Sequence, residues 1–352
     1  MPLKLEIQKT VSNMIAHWVD HSELQSSSGY TIYTSKNKGA TFEKATDLKD
    51  SSWARMLARS RLSSRALRLG IRDLRKLKSG TTLVIAYRKI LRSENADFKP
   101  AYSFRKGMGP LREGWCEDNE GICYLAEYFL NNKRDRPVNL LKSMDDGKTW
   151  EPIRSVDHVR HIHCVQYDPH SRRVWMGTGD RDAESSISFS EDQGKTWTTL
   201  GSGDQMFRTV SFLFAKNHVY WGSDAPTKQN YIYRYVRKSG TIEKLVAVNG
   251  TVHYSTLLEN GAMLFGTTAE GNSEGKSAAW DNRAHIWASE DGTKWTDLVS
   301  WEKDFYPYVL GLGRVYFAHG LDLDNVYFTT EALRKVDNTL FCAKLSAKPL
   351  DG

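Results

Sequence analysis

Cysteine is scarce in this sequence, and its four residues, at 116, 123, 164 and 342, show no C-x-x-C pair and no framework spacing. That argues against a zinc ribbon and against a disulfide scaffold, and it predicts reduced thiols. Long apolar runs are missing too: nothing approaches the roughly 18 residues that a membrane-spanning helix needs. The N-terminal stretch MPLKLEIQKTVSNMIAHW lacks the continuous apolar core of a signal peptide. The expectation is therefore a cytoplasmic protein with no membrane partner, or a secreted one if a leader has been removed. Acidic residues fall short of basic ones, 42 against 49, and the net charge of +7 gives a mild bias toward anionic partners. Much of the excess lies in RMLARSRLSSRALRLGIRDLRKLK (55–78), where seven Arg and two Lys face one Asp. Interleaved aromatics and a known RNA-binding module are absent from it, so it is expected to be a solvated basic face or loop, with no nucleic-acid partner.

What the chain does have is length, apolar content and aromatic rings. With 352 residues, 40% of them hydrophobic, it can bury a large core. Its 11 Trp, 16 Tyr and 13 Phe suit a β-rich protein. One octapeptide stands out, SMDDGKTW at 143–150. Asp side chains bond nearby backbone N–H groups and Gly accepts positive φ, so its first half is a tight turn, while Thr149 and Trp150 begin a strand. It recurs as SEDQGKTW (190–197), SEDGTKW (289–295) and SKNKGATF (35–42, with Asn37 in the Asp position). The serines are offset by 108, 47 and 99 residues, so degenerate copies are expected inside the two long gaps. ILRSENADFKPAYSF (90–104) and YIYRYVRKSGTIEKL (231–245) fill those places, and VYFTTEALRKVDNTLFCAKL (326–345) makes a seventh unit. Between the turns, CVQYDPHSRRVWMGTG (164–179), SFLFAKNHVYWGS (211–223) and STLLENGAMLFGT (255–267) read as hairpins. Four strands every 50 or so residues describe the blades of a propeller. The expected fold is all-β, a single domain over 1–352 with seven blades, or six if an end unit serves as a closing strand.

The pattern S-x-D-x-G-x-T-W resembles the Asp-box (BNR) repeat of sialidases, xyloglucan hydrolases and sortilin-type receptors. The resemblance implies that each box turns between the third and fourth strands of a blade and that its Trp packs between blades. It also implies that Asp145, Asp192 and Asp291 hold turns and take no part in catalysis. The R-I-P segment of bacterial sialidases is absent, so the chain is similar to a less characterised branch of Asp-box proteins whose presumed substrates are glycans. The same fold serves enzymes and receptors.

If the boxes occupy one face, the opposite face is built by the lead-ins to first strands, RHIHC (160–164), QMFRTV (205–210), VHYST (252–256) and KDFYPY (303–308), and by the loops from second to third strands, EYFLNNKRDR (127–136), GTGDRDAESS (177–186), GSDAPTKQN (222–230) and TTAEGNSEG (267–275). In a strand, His161 and His163 face the same side. They either chelate a divalent metal, with Gln166, His253 or a loop carboxylate added, or contact sugar hydroxyls without one. Propeller-fold polysaccharide lyases use such His-based sites. Arg160, Arg208 and Arg134, with Asp224 and Tyr306, are the candidate substrate-binding groups, because guanidinium grips a carboxylate or sulfate bidentately. Glu127, Asp180 and Glu270 could supply the acid or base of glycoside hydrolysis, and Tyr254 that of β-elimination from a uronic acid. The expected function is a glycoside hydrolase or polysaccharide lyase acting on an anionic oligosaccharide or polysaccharide, with a non-catalytic glycan- or protein-binding propeller as the alternative.

Overall fold

The computed structural model describes residues 3–49, 52–95, 97–107, 109–270 and 281–347. They form seven sheets, and the fold is a seven-bladed β-propeller with two short helices among the described residues. Blade 1 runs from Ile15–Val19 to Glu43–Asp47, blade 2 from Asp73–Lys76 to Asp97–Ser103, and blade 3 from Trp115–Glu117 to Glu151–Val156. Blade 4 runs from His161–Asp168 to Thr198–Ser202, blade 5 from Phe212–Phe214 to Thr241–Val248, and blade 6 from Val252–Leu257 to Thr296–Glu302. Blade 7 takes Arg314–Phe317, Asn325–Glu331 and Thr339–Ala347 from the C-terminal region, and its fourth strand is Leu3–Ser12. The seventh unit read at 326–345 thus supplies the second and third strands of that blade. The N-terminal strand covers the edge those strands would otherwise leave unpaired, from Leu3 opposite Ala347 to Ser12 opposite Thr339.

The chain divides into two compact units. One comprises Met1–Ile71, Pro226–Asn230 and Val246–Gly352, and holds blades 1, 6 and 7; the other comprises Arg72–Ala225 and Tyr231–Leu245, and holds blades 2, 3 and 4 and most of blade 5. Second strands such as Arg173–Gly179 are buried from Val174 onward, because packed neighbours cover both of their faces. Fourth strands such as Thr198–Ser202 are largely exposed and correspondingly polar.

The octapeptides sit between third and fourth strands. At 143–150, Asp145 Oδ1 accepts from Ser143 Oγ at 2.8 Å and from the Thr149 N–H at 2.9 Å, while Ser143 Oγ accepts from the Gly147 N–H at 2.9 Å. The copy at 190–197 repeats these bonds with Ser190, Asp192, Gly194 and Thr196. In the variant copy Asn37 Oδ1 accepts from the Thr41 N–H at 2.8 Å, so an amide oxygen serves as well as a carboxylate. Trp150 packs on a cluster drawn from blades 2 and 3, and Trp197 on one drawn from blades 3 and 4. Gly147 and Gly194 have φ of +76° and +89°, and each also faces a side chain of the preceding blade. A Cβ on Gly147 would meet Leu83 Cδ1 at 2.8 Å, and one on Gly194 would collide with Ile153.

The Arg-rich segment differs from the solvated face expected of it. It folds into helix α1, Ser52–Leu57, and helix α2, Arg61–Leu67, before entering blade 2. Arg65 is buried, its Nη1 bonding Asp304 Oδ2 at 2.5 Å, and Arg61 grips Asp337 bidentately at 2.9 and 3.0 Å. Arg55, Arg59 and Arg68 remain exposed.

Candidate functional site

Three first strands carry a histidine where their ladder breaks. In blade 4 the register skips between Ile162 and Cys164, which makes His163 the extra residue of a β-bulge. Blade 6 skips between Val252 and Tyr254, at His253, and blade 1 between Ala16 and Trp18, at His17. A bulge frees its extra residue from the ladder and re-aims its side chain, a device common beside functional sites. His17 escaped sequence reasoning; it is fully buried, with Nε2 2.7 Å from Ser27 Oγ. The shared pattern IAHWV, HIHCV and TVHYS was the signal available for it. His161 and His163 lie side by side as expected, ring centroids 6.0 Å apart, although the bulge, not plain alternation, sets their geometry.

In the unit containing blade 4, an ionic network surrounds these two rings. Asp180 Oδ1 lies 3.2 Å from His163 Nε2 and 3.2 Å from Arg208 Nη2, and its Oδ2 accepts from Arg160 Nη1 at 2.7 Å. Arg208 also donates Nη1 to the Asp180 carbonyl at 2.8 Å and Nε to Asp224 Oδ2 at 3.0 Å. Burial works against charge on Asp180, but the hydrogen bond and charge of His163, joined by Arg208, outweigh it and hold this carboxyl far below the usual carboxylate range. His161 behaves oppositely. Burial foremost, then the charge of His163, push its pKa down to about 3; Asp180 partly offsets this and Arg160 and Arg208 add to it. The ring is therefore neutral near pH 7, stacked on Tyr128 with centroids 4.1 Å apart, and its buried Nδ1 has no hydrogen-bond partner. Arg160, with a third of its side chain exposed, keeps a buried Nε that is likewise without a partner.

Other candidates are taken up by structure. Arg134 gives Nε and Nη2 to Glu184 and Nη1 to the Asn132 carbonyl, so its guanidinium is occupied. Glu184, which sequence reasoning missed because a loop acid reads as solvated, also accepts the Arg160 backbone N–H at 2.6 Å and so fixes the start of the His-bearing strand. Glu127 Oε2 accepts from the Asn139 side chain at 2.9 Å. In the other unit Tyr254 is buried, edge-on to Tyr316 and to His253. Glu270 is half-buried, and its carboxylate and the His253 imidazole offer ligand atoms within 4.8 Å of each other. Residues 271–275 of that loop lie outside the described residues. Tyr306 lies beneath the Arg65 guanidinium, 5.1 Å from ring centroid to Cζ.

These surroundings select ligands. Beside His161 and His163 the carboxylates already hold two guanidiniums, so an added cation would face like charge, and the donors suit an anion or a sugar hydroxyl better. His253 and Glu270, an imidazole and a carboxylate, form the donor pair that suits a divalent ion.

No protein-family model and no curated protein matches the sequence. Solved structures match along almost its whole length. An oligogalacturonate lyase in complex with manganese shares 10% identity at a TM-score of 0.60, covering 98% of this chain and 97% of that one. YCF48 bound to a D1 peptide shares 11% at a TM-score of 0.57, covering 97% and 96%. The extracellular domain of BT4673 from B. thetaiotaomicron shares 11% at 0.57, and this chain, 97% covered, spans only 40% of its length. At such identities the likeness shows the fold alone.

Proposed function

We propose that the chain is a carbohydrate-active propeller of the Asp-box kind that cleaves an anionic, uronic-acid glycan by β-elimination at the blade 4 cluster. The observation that carries this reading is a neutral His161 set beside Arg160, whose side chain keeps a third of its surface exposed. Elimination needs a base for the proton at C5 and a cation to neutralise the adjacent carboxylate; His161 and Arg160 supply them. The C5 proton passes to the His161 imidazole, the C4–O4 bond breaks, and the imidazolium returns the proton to the departing oxygen. A uronate carboxylate bound beside the ring adds negative charge and raises the low imidazole pKa toward the working range. Hydrolysis fits less well, because it needs a protonated acid, while Asp180, Asp224 and Glu184 each hold a guanidinium. Similarity to a manganese-bound oligogalacturonate lyase supports both the reaction class and a divalent ion, for which His253 and Glu270 are the fitting ligands in this chain.

The test is incubation with polygalacturonate, alginate and glycosaminoglycans, following the ultraviolet absorbance of the unsaturated uronate product. The wild type should generate it and His161→Ala should lose at least about a hundredfold in rate, the usual minimum for a general base. Release of saturated sugar ends would identify a hydrolase instead, and binding without turnover a recognition module.

A further inference from the structure

A second feature, in the unit holding blades 1, 6 and 7, presents an aromatic ring to solvent on a firmly pinned base. The segment leading from blade 6 to blade 7 carries Phe305, 88% exposed, and its ring lies 4.3 Å from that of Tyr306 at 34°. Exposing a Phe so fully forgoes the burial that normally makes the residue useful. The loop is not loose. Asp304 Oδ1 accepts from the Tyr306 N–H at 3.1 Å and from Lys303, and the Lys303 ammonium also bonds the Tyr306 carbonyl at 2.9 Å. Arg65 of α2 clamps Asp304 from beneath and bonds the Leu310 carbonyl at 2.5 Å, and Tyr308 donates its hydroxyl to Asn282 Oδ1 at 3.0 Å. Thus Arg65 fastens the Arg-rich insertion to the aromatic loop, and Arg59 and Arg68 of the same insertion are exposed.

We propose that Phe305, backed by Tyr306, and the exposed Arg59 and Arg68 that flank α2 form an accessory subsite for an anionic polysaccharide chain. The proposal rests on the glycan reading above and extends it to residues outside the reacting centre. The outer face of Phe305, backed by the Tyr306 ring that lies between it and Arg65, offers the flat, negative π-face on which the C–H face of a pyranose stacks. The segment carries the charge complement, since its cations outnumber its acids and Arg59 and Arg68 are exposed to uronate or sulfate groups. A bilayer is a poorer occupant, because helices of six and seven residues present too little apolar face to lie in a membrane interface. Pinning the loop beforehand lowers the entropy lost when a sugar settles on it.

The experiment is calorimetric or gel-retardation titration of the full chain with long and short polyuronates, a neutral glucan and phosphatidylserine vesicles. Wild type should bind the long polyuronate best. Phe305→Ala should weaken that binding roughly tenfold, as loss of one stacked ring implies, while leaving short oligomers and the melting temperature unchanged. Arg59→Gln/Arg68→Gln should weaken it further and flatten its salt dependence. If wild type binds polyuronate and Phe305→Ala binds it equally, the subsite is wrong and the blade 4 reading survives. Should wild type bind no glycan, or bind only vesicles, both are wrong.

Discussion

At the scale of single residues, environment decides what each side chain can do. His161 and His285 are both buried histidines with opposite fates. Around His161 burial and neighbouring cations keep the ring neutral, whereas His285 Nδ1 lies 2.7 Å from Asp297 and its Nε2 3.0 Å from Asp281. Burial alone would lower the His285 pKa, but Asp297 first and Asp281 next outweigh it and raise it above the ordinary 6.5. The remaining charges near this clamp are those of Arg283, whose guanidinium is directed to Ser300 and Glu302, and the Asn249 amide bonds Asp281. Because the folded value exceeds the unfolded one, the clamp's contribution is complete below about pH 6.5 and disappears as pH rises through the raised folded value. Urea unfolding of wild type and His285→Gln should therefore show a stability gap that is widest in mild acid and closes toward alkaline pH. A gap constant with pH would refute the clamp.

At the scale of elements, the octapeptide is a packing device as much as a turn. Its carboxylate or amide bonds backbone N–H groups, so Asp145, Asp192 and Asn37 do one job with different chemistry. Its glycine does two, meeting a left-handed φ and admitting the side chain of the blade before it. Gly194→Ala should cost about 2 to 4 kcal/mol, combining a strained φ with overpacking against Ile153. Asp192→Ala should lower stability less, since water can satisfy the freed N–H groups of an exposed turn. Paired urea midpoints check the order, and the reverse ranking would show that the carboxylate dominates.

At the scale of the whole molecule, the fold is assembled from both ends of the chain. Leu3–Ser12 completes blade 7 beside Thr339–Ala347, and its Leu3, Leu5 and Ile7 are set opposite Ala347, Leu345 and Ala343. Deleting residues 1–12 should lower the melting temperature and expose the edge of Thr339–Ala347 to self-association. A synthetic peptide of those residues, added in trans, should restore the midpoint by pairing with that edge. No helix among the described residues is long and apolar enough to cross a membrane. We further propose that the chain unfolds as one domain, in a single calorimetric transition; two separated transitions would reject this.

The sequence by itself determined the blades. Octapeptide turns, apolar second strands and hairpin spacing are local patterns, and a repeated unit writes them several times over, so chance resemblance in one copy matters little. It also placed His161, His163, Asp180 and Arg208 near one another, because first-strand starts and second-to-third loops recur at fixed positions within a blade. Only the tertiary structure decided which of these groups are free. Arg134 in a loop and Arg160 at a strand entry both read as anion-gripping arginines, yet Glu184 takes up the Arg134 guanidinium while Asp180 holds only Nη1 of Arg160. The basic run at 55–78 read as a solvated face because burial of Arg65 depends on Asp304, 239 residues away in the chain. Hydrogen-bond partners and charge neighbours brought together across such separations leave no periodic trace, whereas strands and turns are set by neighbours a few positions apart.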